Sequence, residues 1–204
     1  MLEQIENTLN ELKKSEKRNF IQSVDLIVSL KGIDLKKPES KFSEDLVLPH
    51  GRGEDAVVVV FSDNLNDLGC NILTSSDIQR IASNKKEAKR MAKDTDFFLS
   101  EASLMPLIGR LLGQILAPRG KMPKIISDEA KKMVENYKKS VRIVVKNAPV
   151  IQCIVGKESM ETRKIAENVE SVLKFLETKL PKGRQNIGKV LLKLTMSKPV
   201  RVVL

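Results

Sequence analysis

The feature that most limits how this chain can fold is a change of hydrophobic period along it. From residue 20 the period is two: Phe20, Val24, Leu26, Val28 and Leu30 share one parity and Ser23, Asp25 and Ser29 the other. That pattern predicts a strand with one buried and one wet face. Gln22 is the one polar residue on its apolar side. Residues 187–195 alternate in the same way, with Val190, Leu192, Leu194 and Met196 opposite Lys189, Lys193 and Thr195. Between these ends lies Val57-Val58-Val59-Val60-Phe61, an unbroken apolar run of the kind that suits a strand covered on both faces in a parallel sheet. Half-buried strands at both ends and a doubly covered strand in the middle predict one domain split around another: residues 1–53 and 139–204 form the outer domain and 54–138 the insertion. With 204 residues, 41% of them hydrophobic, the chain can supply a core to each.

The remaining elements follow from spacing and punctuation. Leu2, Ile5, Leu9 and Leu12 recur as on an amphipathic helix that ends near the polar cluster of residues 13–17. Gly32 and Lys36-Lys37-Pro38 break the first strand, and Leu46-Val47-Leu48 runs into the turn-rich Pro49-His50-Gly51-Arg52-Gly53. In the insertion, strand and helix are expected to alternate: a short helix around residues 65–68, apolar Ile72-Leu73, a helix opened by Ser76 or Asp77 and running towards Met91, apolar Phe97-Phe98-Leu99, then a helix over about 104–116. That alternation is the mark of a doubly wound α/β unit. A basic Pro- and Gly-containing loop over 118–124 follows, and Asp128 is expected to cap a helix reaching Tyr137. The last third predicts strands at 141–145 and 151–155 and a helix over about 158–180, whose stripe of Ile165, Val169, Val172, Leu173, Leu176 and Leu180 faces a core.

Charge has a location. Lys and Arg number 36 against 26 Asp and Glu, a net charge of +10, yet residues 1–53 hold 9 basic and 9 acidic residues and residues 54–138 hold 13 and 12. Residues 139–204 hold 14 and 5, and there Lys189 and Lys193 share one strand face flanked by Lys182, Arg184, Lys198 and Arg201. Excess positive charge confined to one segment points to a polyanionic partner, nucleic acid before all. The basic run Lys85-Lys86, Lys89-Arg90 and Lys93 is interrupted by Glu87 and flanked by Asp94 and Asp96, and a solvated helix face accounts for it.

Other function classes find little material. The apolar runs fall far short of the ~20 residues of a membrane span, and the N-terminus lacks the basic start and apolar stretch of a secretory signal, so a cytoplasmic protein without a membrane partner is expected. Cys70 and Cys153 stand alone among apolar neighbours and read as buried free thiols. His50, the only histidine, sits in a turn, which leaves neither a metal cluster nor a nucleophile–base pair to build on. A nucleotide-dependent enzyme is the alternative a parallel sheet raises, but Val57–Phe61 leads into Ser62-Asp63-Asn64 instead of a glycine-rich turn, and Gly120-Lys121 is followed by Met122 where a P-loop needs Ser or Thr. No cofactor and no catalytic residue are expected.

Six segments, in order, carry a family likeness: Asn19-Phe20-Ile21-Gln22-Ser23, residues 31–38, residues 48–53, residues 113–123, Val155-Gly156-Lys157 and Leu194-Thr195-Met196-Ser197. Together they resemble the family of the first protein of the large ribosomal subunit, in its archaeal and eukaryotic form. The resemblance implies a split α+β RNA-binding domain and an inserted Rossmann-like three-layer α/β domain with a hinge between them. It also implies binding to the stalk of large-subunit ribosomal RNA near the exit site, help in releasing deacylated tRNA, repression of the protein's own messenger RNA, and a monomer when free. Carried over by position, the RNA-facing residues are Phe20 and Ser23 on the first strand, Lys157, and Thr195, Met196 and Ser197; Lys189 and Lys193 join them on charge. Ser197 stands where the family commonly has glycine, and Asn19 where many members have lysine, with Lys17 and Arg18 close enough to supply the charge. Read by parity alone, Phe20 and Met196 belong to the core.

Overall fold

A computed structural model describes residues 2–14, 18–37, 40–65, 67–127 and 129–202. In chain order it opens with α1 (Leu2–Lys13), β1 (Ser23–Leu30) and β2 (Phe42–Val47). The middle contains β3 (Val58–Phe61), β4 (Asn71–Leu73), α2 (Ser75–Ser83), α3 (Lys85–Asp94), β5 (Phe97–Ser100), α4 (Met105–Leu111), α5 (Gly113–Leu116), β6 (Lys124–Ile125) and α6 (Ala130–Lys138). It closes with β7 (Ser140–Val145), β8 (Val150–Lys157), α7 (Thr162–Lys179), β9 (Ile187–Leu194) and β10 (Val200–Val202). The chain divides into two compact units, Met1–Glu54 with Lys139–Leu204 and Asp55–Lys138.

In the first unit a four-stranded antiparallel sheet has the order β10-β9-β1-β8. Alternation decides its two faces. Val24, Leu26, Val28, Ile151, Val155, Val190, Leu192 and Leu194 point into one core with Ile5 and Leu9 of α1 and the predicted stripe of α7. Each such aliphatic side chain contributes about 1.5–3 kcal/mol by leaving water. The antiparallel pair β2-β7 adds Val141, Ile143 and Val145 to the same core. On the opposite face of the four-stranded sheet Asp25, Ile27, Leu191 and Lys193 are half-buried and Gln152 and Lys189 exposed.

The second unit is built on a parallel sheet of order β4-β3-β5-β6. Val59, Phe61 and Phe98 face a core made with α2, α3, α4 and α5, while Val58, Val60, Phe97 and Leu99 face another that includes Ala130 and Val134 of α6. Two cores on two faces explain the unbroken apolar run and give a three-layer α/β unit.

Several expectations need correction. None of the described residues around 65–68 is helical: Asp67 (φ 59°) and Gly69 (φ 63°) adopt left-handed backbone that a right-handed helix cannot contain. The helix expected to open at Ser76 or Asp77 is capped by Thr74, in a reciprocal pair of hydrogen bonds with Asp77. It ends at Ser83, because Asn84 takes extended backbone and its side chain caps α3 through the amides of Lys86 and Glu87. The helix expected over 104–116 is divided at Leu112, and α7 starts at Thr162, since residues 157–160 close a turn with a Met160 amide bond to the Lys157 carbonyl. Strand β10 carries no alternation long enough to be read from sequence. The expected cap Asp128 lies outside the described residues.

One buried amide fixes the segment that leads out of the first unit's β2. Asn168, in mid-α7 and wholly buried, accepts a hydrogen bond from the His50 amide (3.1 Å) and donates to the carbonyls of Gly51 (2.7 Å) and Val155 (2.8 Å). Every polar atom of its side chain is thus used on backbone, including the left-handed Gly51 (φ 64°). Asn168→Ala orphans one amide and two carbonyls, and a loss of about 2–4 kcal/mol is expected in urea unfolding of the variant.

Candidate nucleic-acid interface

Antiparallel pairing brings the start of β1, the end of β8 and the end of β9 to one edge of the sheet. Ser23, the first residue of β1, stands opposite Lys157, the last of β8. On its other side its amide donates to the Thr195 hydroxyl (3.1 Å), and the Thr195 amide donates to the Ser23 carbonyl (3.2 Å). The Thr195 hydroxyl therefore accepts from protein, while the nearest internal acceptor for its proton is the Ser23 carbonyl at 3.5 Å, too long to hold it firmly. Thr195 is exposed, so its hydroxyl can turn to an outside acceptor.

Phe20 and Met196 do not belong to the core. They are 51% and 61% exposed, and Ile21 beside Phe20 is 60% exposed. Parity fails for both because neither lies within a strand: β1 begins three residues after Phe20, and β9 ends at Leu194, two before Met196. Ser197 sets that end. Its hydroxyl accepts from the Leu194 amide (2.8 Å) and its own amide donates to the Leu194 carbonyl (3.1 Å), which bends the chain and presents Met196 outward. Among the described residues Asp67 is the one non-glycine with positive φ, so the backbone at 197 does not require glycine.

The lysines divide. Lys193 stands opposite Asp25 across the strands and its ammonium donates to the Thr195 carbonyl (3.2 Å), at the edge just described. The Asp25 carboxyl is raised above the usual carboxylate range by burial, with Lys193 pulling it back. Lys157 is at the same edge, but its side chain is 17% exposed, pairs with Glu54 and packs on Gly53. Lys189 lies elsewhere: six residues before Thr195 on an extended strand, it is about 20 Å away. Its exposed side chain continues the positive face towards the far end of β9, where its amide is tied to the Ser29 hydroxyl (2.7 Å).

Two shallow grooves flank the edge, one of about 440 Å³ whose lining includes Arg18, Gln22, Met196 and Lys198, and one of about 420 Å³ beside Arg18, Phe20, Ile21 and Glu158. Both are lined in part by residues outside the expected RNA-facing set: Arg18, Lys198, Gln22 and Glu158. For Gln22 the polarity that breaks the strand's alternation was a usable signal. Lys17, the other charge offered in place of a lysine at 19, lies outside the described residues. The grooves and the exposed Phe20 and Met196 offer apolar surface and cations side by side, as a ribose-phosphate chain requires.

Phosphate binding by the parallel sheet meets an obstacle. In the order β4-β3-β5-β6 the direction in which successive strands are added reverses between β3 and β5, and ligands of such parallel sheets bind there at the carboxyl ends. That position carries Glu101, which accepts hydrogen bonds from the Ser62 hydroxyl and the Asn64 side-chain amide (3.2 Å). A carboxylate repels phosphate. Among the described residues no group of three or more His, Cys, Asp or Glu could hold a metal, and no helix is long and apolar enough to cross a membrane. Both cysteines are free; burial, with Asp25 nearby, pushes the Cys153 thiol up to about 12.

The Ser197 geometry gives a direct test. Ser197→Gly removes the hydroxyl that holds the Leu194 amide and adds backbone entropy to the unfolded chain, so unfolding free energy should fall by about 1–2 kcal/mol in denaturant titration. Equal or greater stability of the glycine variant counts against a structural role for the hydroxyl.

The family model for the ribosomal protein L1p/L10e family matches residues 12–198. The chain is 43% identical over 197 residues to the large ribosomal subunit protein uL1 of Pyrococcus abyssi, covering 93% of this chain and 90% of that protein. It is 39% identical over 212 residues to the protein of the same name from Methanobrevibacter smithii, covering the whole of both, and 41% identical over 192 residues to that of Methanocaldococcus jannaschii, covering 91% and 88%.

Proposed function

The chain belongs to the ribosomal protein L1p/L10e family, and on that premise we propose that it is a structural constituent of the large ribosomal subunit whose split unit grips the stalk of the large-subunit ribosomal RNA near the exit site. The observation that carries this reading is the convergence of Ser23, Lys157, Thr195 and the exposed Phe20 and Met196 on one edge of the sheet, with Lys193 beside them and Lys189 farther along the same face. Hydroxyls address 2′-OH groups, exposed apolar side chains cover ribose or an unstacked base, and lysines meet phosphates. The protein does no chemistry in this role. It works in the cytoplasm, on ribosomes, and is a monomer when free.

Two further activities are proposed for the same face. By holding a mobile RNA stalk beside the exit site, the protein assists release of deacylated tRNA. A face that reads backbone shape also accepts a similarly folded loop in its own messenger RNA, which makes repression of its own synthesis inexpensive to evolve. Feedback requires the messenger to bind more weakly, and a gap of about 1.4 kcal/mol already gives tenfold preference for ribosomal RNA.

Affinity for a stalk RNA fragment should fall steeply as salt rises, because lysines displace counterions from phosphates; a dissociation constant indifferent to ionic strength speaks against the face. Thr195→Val should weaken binding by about 1–3 kcal/mol, whereas Thr195→Ser, which keeps the hydroxyl, should bind like the parent. In a translation extract programmed with its own messenger, the protein should repress synthesis and excess stalk fragment should relieve that repression. Undiminished translation at protein concentrations that saturate the stalk fragment would rule autoregulation out.

A further inference from the structure

Gln22 is an anomaly that RNA contact does not explain. It is 2% exposed, on the apolar side of β1's alternation, where an unpartnered carboxamide is costly. Its partners lie far apart in sequence. The side-chain oxygen accepts from the Met196 amide (3.1 Å), an assignment fixed by chemistry, since an amide N–H can only donate. The side-chain nitrogen faces the Glu158 carboxylate (3.4 Å), and the Gln22 carbonyl accepts from the Glu158 amide (2.8 Å). Lys13 braces the same turn, with its ammonium on the Met160 carbonyl (2.6 Å) and near Glu158.

These bonds join the three segments of the proposed RNA edge: the lead-in that contains Phe20, the turn after Lys157, and the turn that contains Thr195, Met196 and Ser197. Thr195 and Met196 lie beyond the end of β9, so the strand ladder alone does not fix them. We propose that Gln22 is a positioning residue for RNA binding: although it lines one groove it is 2% exposed, and by spending its carboxamide on the Met196 amide and Glu158 it sets the three RNA-facing segments in register. The proposal rests on the assignment of this edge as the RNA face. Its polarity is specific. Position 22 must accept from Met196 and donate to position 158, or, if it only accepts, position 158 must become a donor.

That requirement defines the experiment, binding of purified full-length variants to a stalk RNA fragment with thermal melts alongside. Gln22→Leu is of similar size and leaves the Met196 amide unbonded; it should still fold, melting some degrees below the parent, and bind at least about tenfold more weakly when both are folded. Its salt dependence should match the parent's, because no phosphate contact is lost. Gln22→Glu sets a second carboxylate against Glu158 and should also weaken binding. The double variant Gln22→Glu/Glu158→Gln reverses the pair's polarity and should recover affinity to within about threefold. If Gln22→Leu does not fold, the comparison of Gln22→Glu with the double variant decides. Parent-like binding by Gln22→Glu, or a double variant no better than Gln22→Glu, overturns the positioning role. Thr195→Val separates the two levels: if it weakens binding while the Gln22 variants do not, positioning alone fails, and if Thr195→Val binds like the parent, the RNA edge fails and the proposal with it.

Discussion

The first unit depends on β1 being an inner strand. It pairs with β8 on one side and β9 on the other, and its even-numbered residues supply the middle of the core. Because both pairings are antiparallel, the start of β1 necessarily meets the end of β8 and the end of β9. A slip of one residue in either pairing turns the apolar set outward, so burial of Val24, Leu26 and Val28 enforces the register. On the β9 side that register carries Ser23 to Thr195, and on the β8 side a one-residue shift between Val24 and Asp25 moves its partner from Gly156 to Lys157. The candidate interface is therefore a by-product of core packing, held to the precision of the core.

Beyond the strand ends that guarantee lapses, and buried side-chain amides take over. Asn168 holds the turn of His50 and Gly51 against α7 and β8, and Gln22 holds the turns that follow β8 and β9. Both residues are almost wholly buried and spend their hydrogen bonds largely on backbone that no strand or helix satisfies. A buried amide half satisfied is worse than an apolar residue, so each such site tolerates very few geometries. Apolar contacts make this unit compact, and a few polar ones decide where its irregular segments lie.

Much of this was legible in the residues. The change of period placed β1 and β9, though not β2, β6 or β10, and the unbroken run at 57–61 announced a sheet covered on both faces. Where reading failed, a tertiary or single-residue effect had overruled periodicity. Leu65 and Leu68 have helical spacing, but left-handed backbone at Asp67 and Gly69 ends any helix there. Asn84 divides what looked like one helix because a side-chain cap outweighs the continuing pattern. Parity alone turns Phe20 and Met196 inward because it extends alternation past strand ends that only the hydroxyl of Ser197 and the bend before Ser23 define. The lysines of β9 were legible as a face. The counter-charges were not, since Glu54 on Lys157 and Asp25 opposite Lys193 come from distant sequence and carry no local signal.

The division of the first unit around residues 55–138 also orders events in time. As the polypeptide emerges from its N-terminus, the second unit has all its strands once residue 138 is out, whereas β1 must wait for β8 to pair one side and for β9 to pair the other. Long-range pairing of this kind is slow to form and leaves an alternating strand unpaired in the meantime. The bonds that complete the edge, Ser23 with Thr195 and Gln22 with Met196, span 172 and 174 positions. A truncated or unfinished chain thus cannot present the complete surface, and assembly competence becomes a check on synthesis carried to its end.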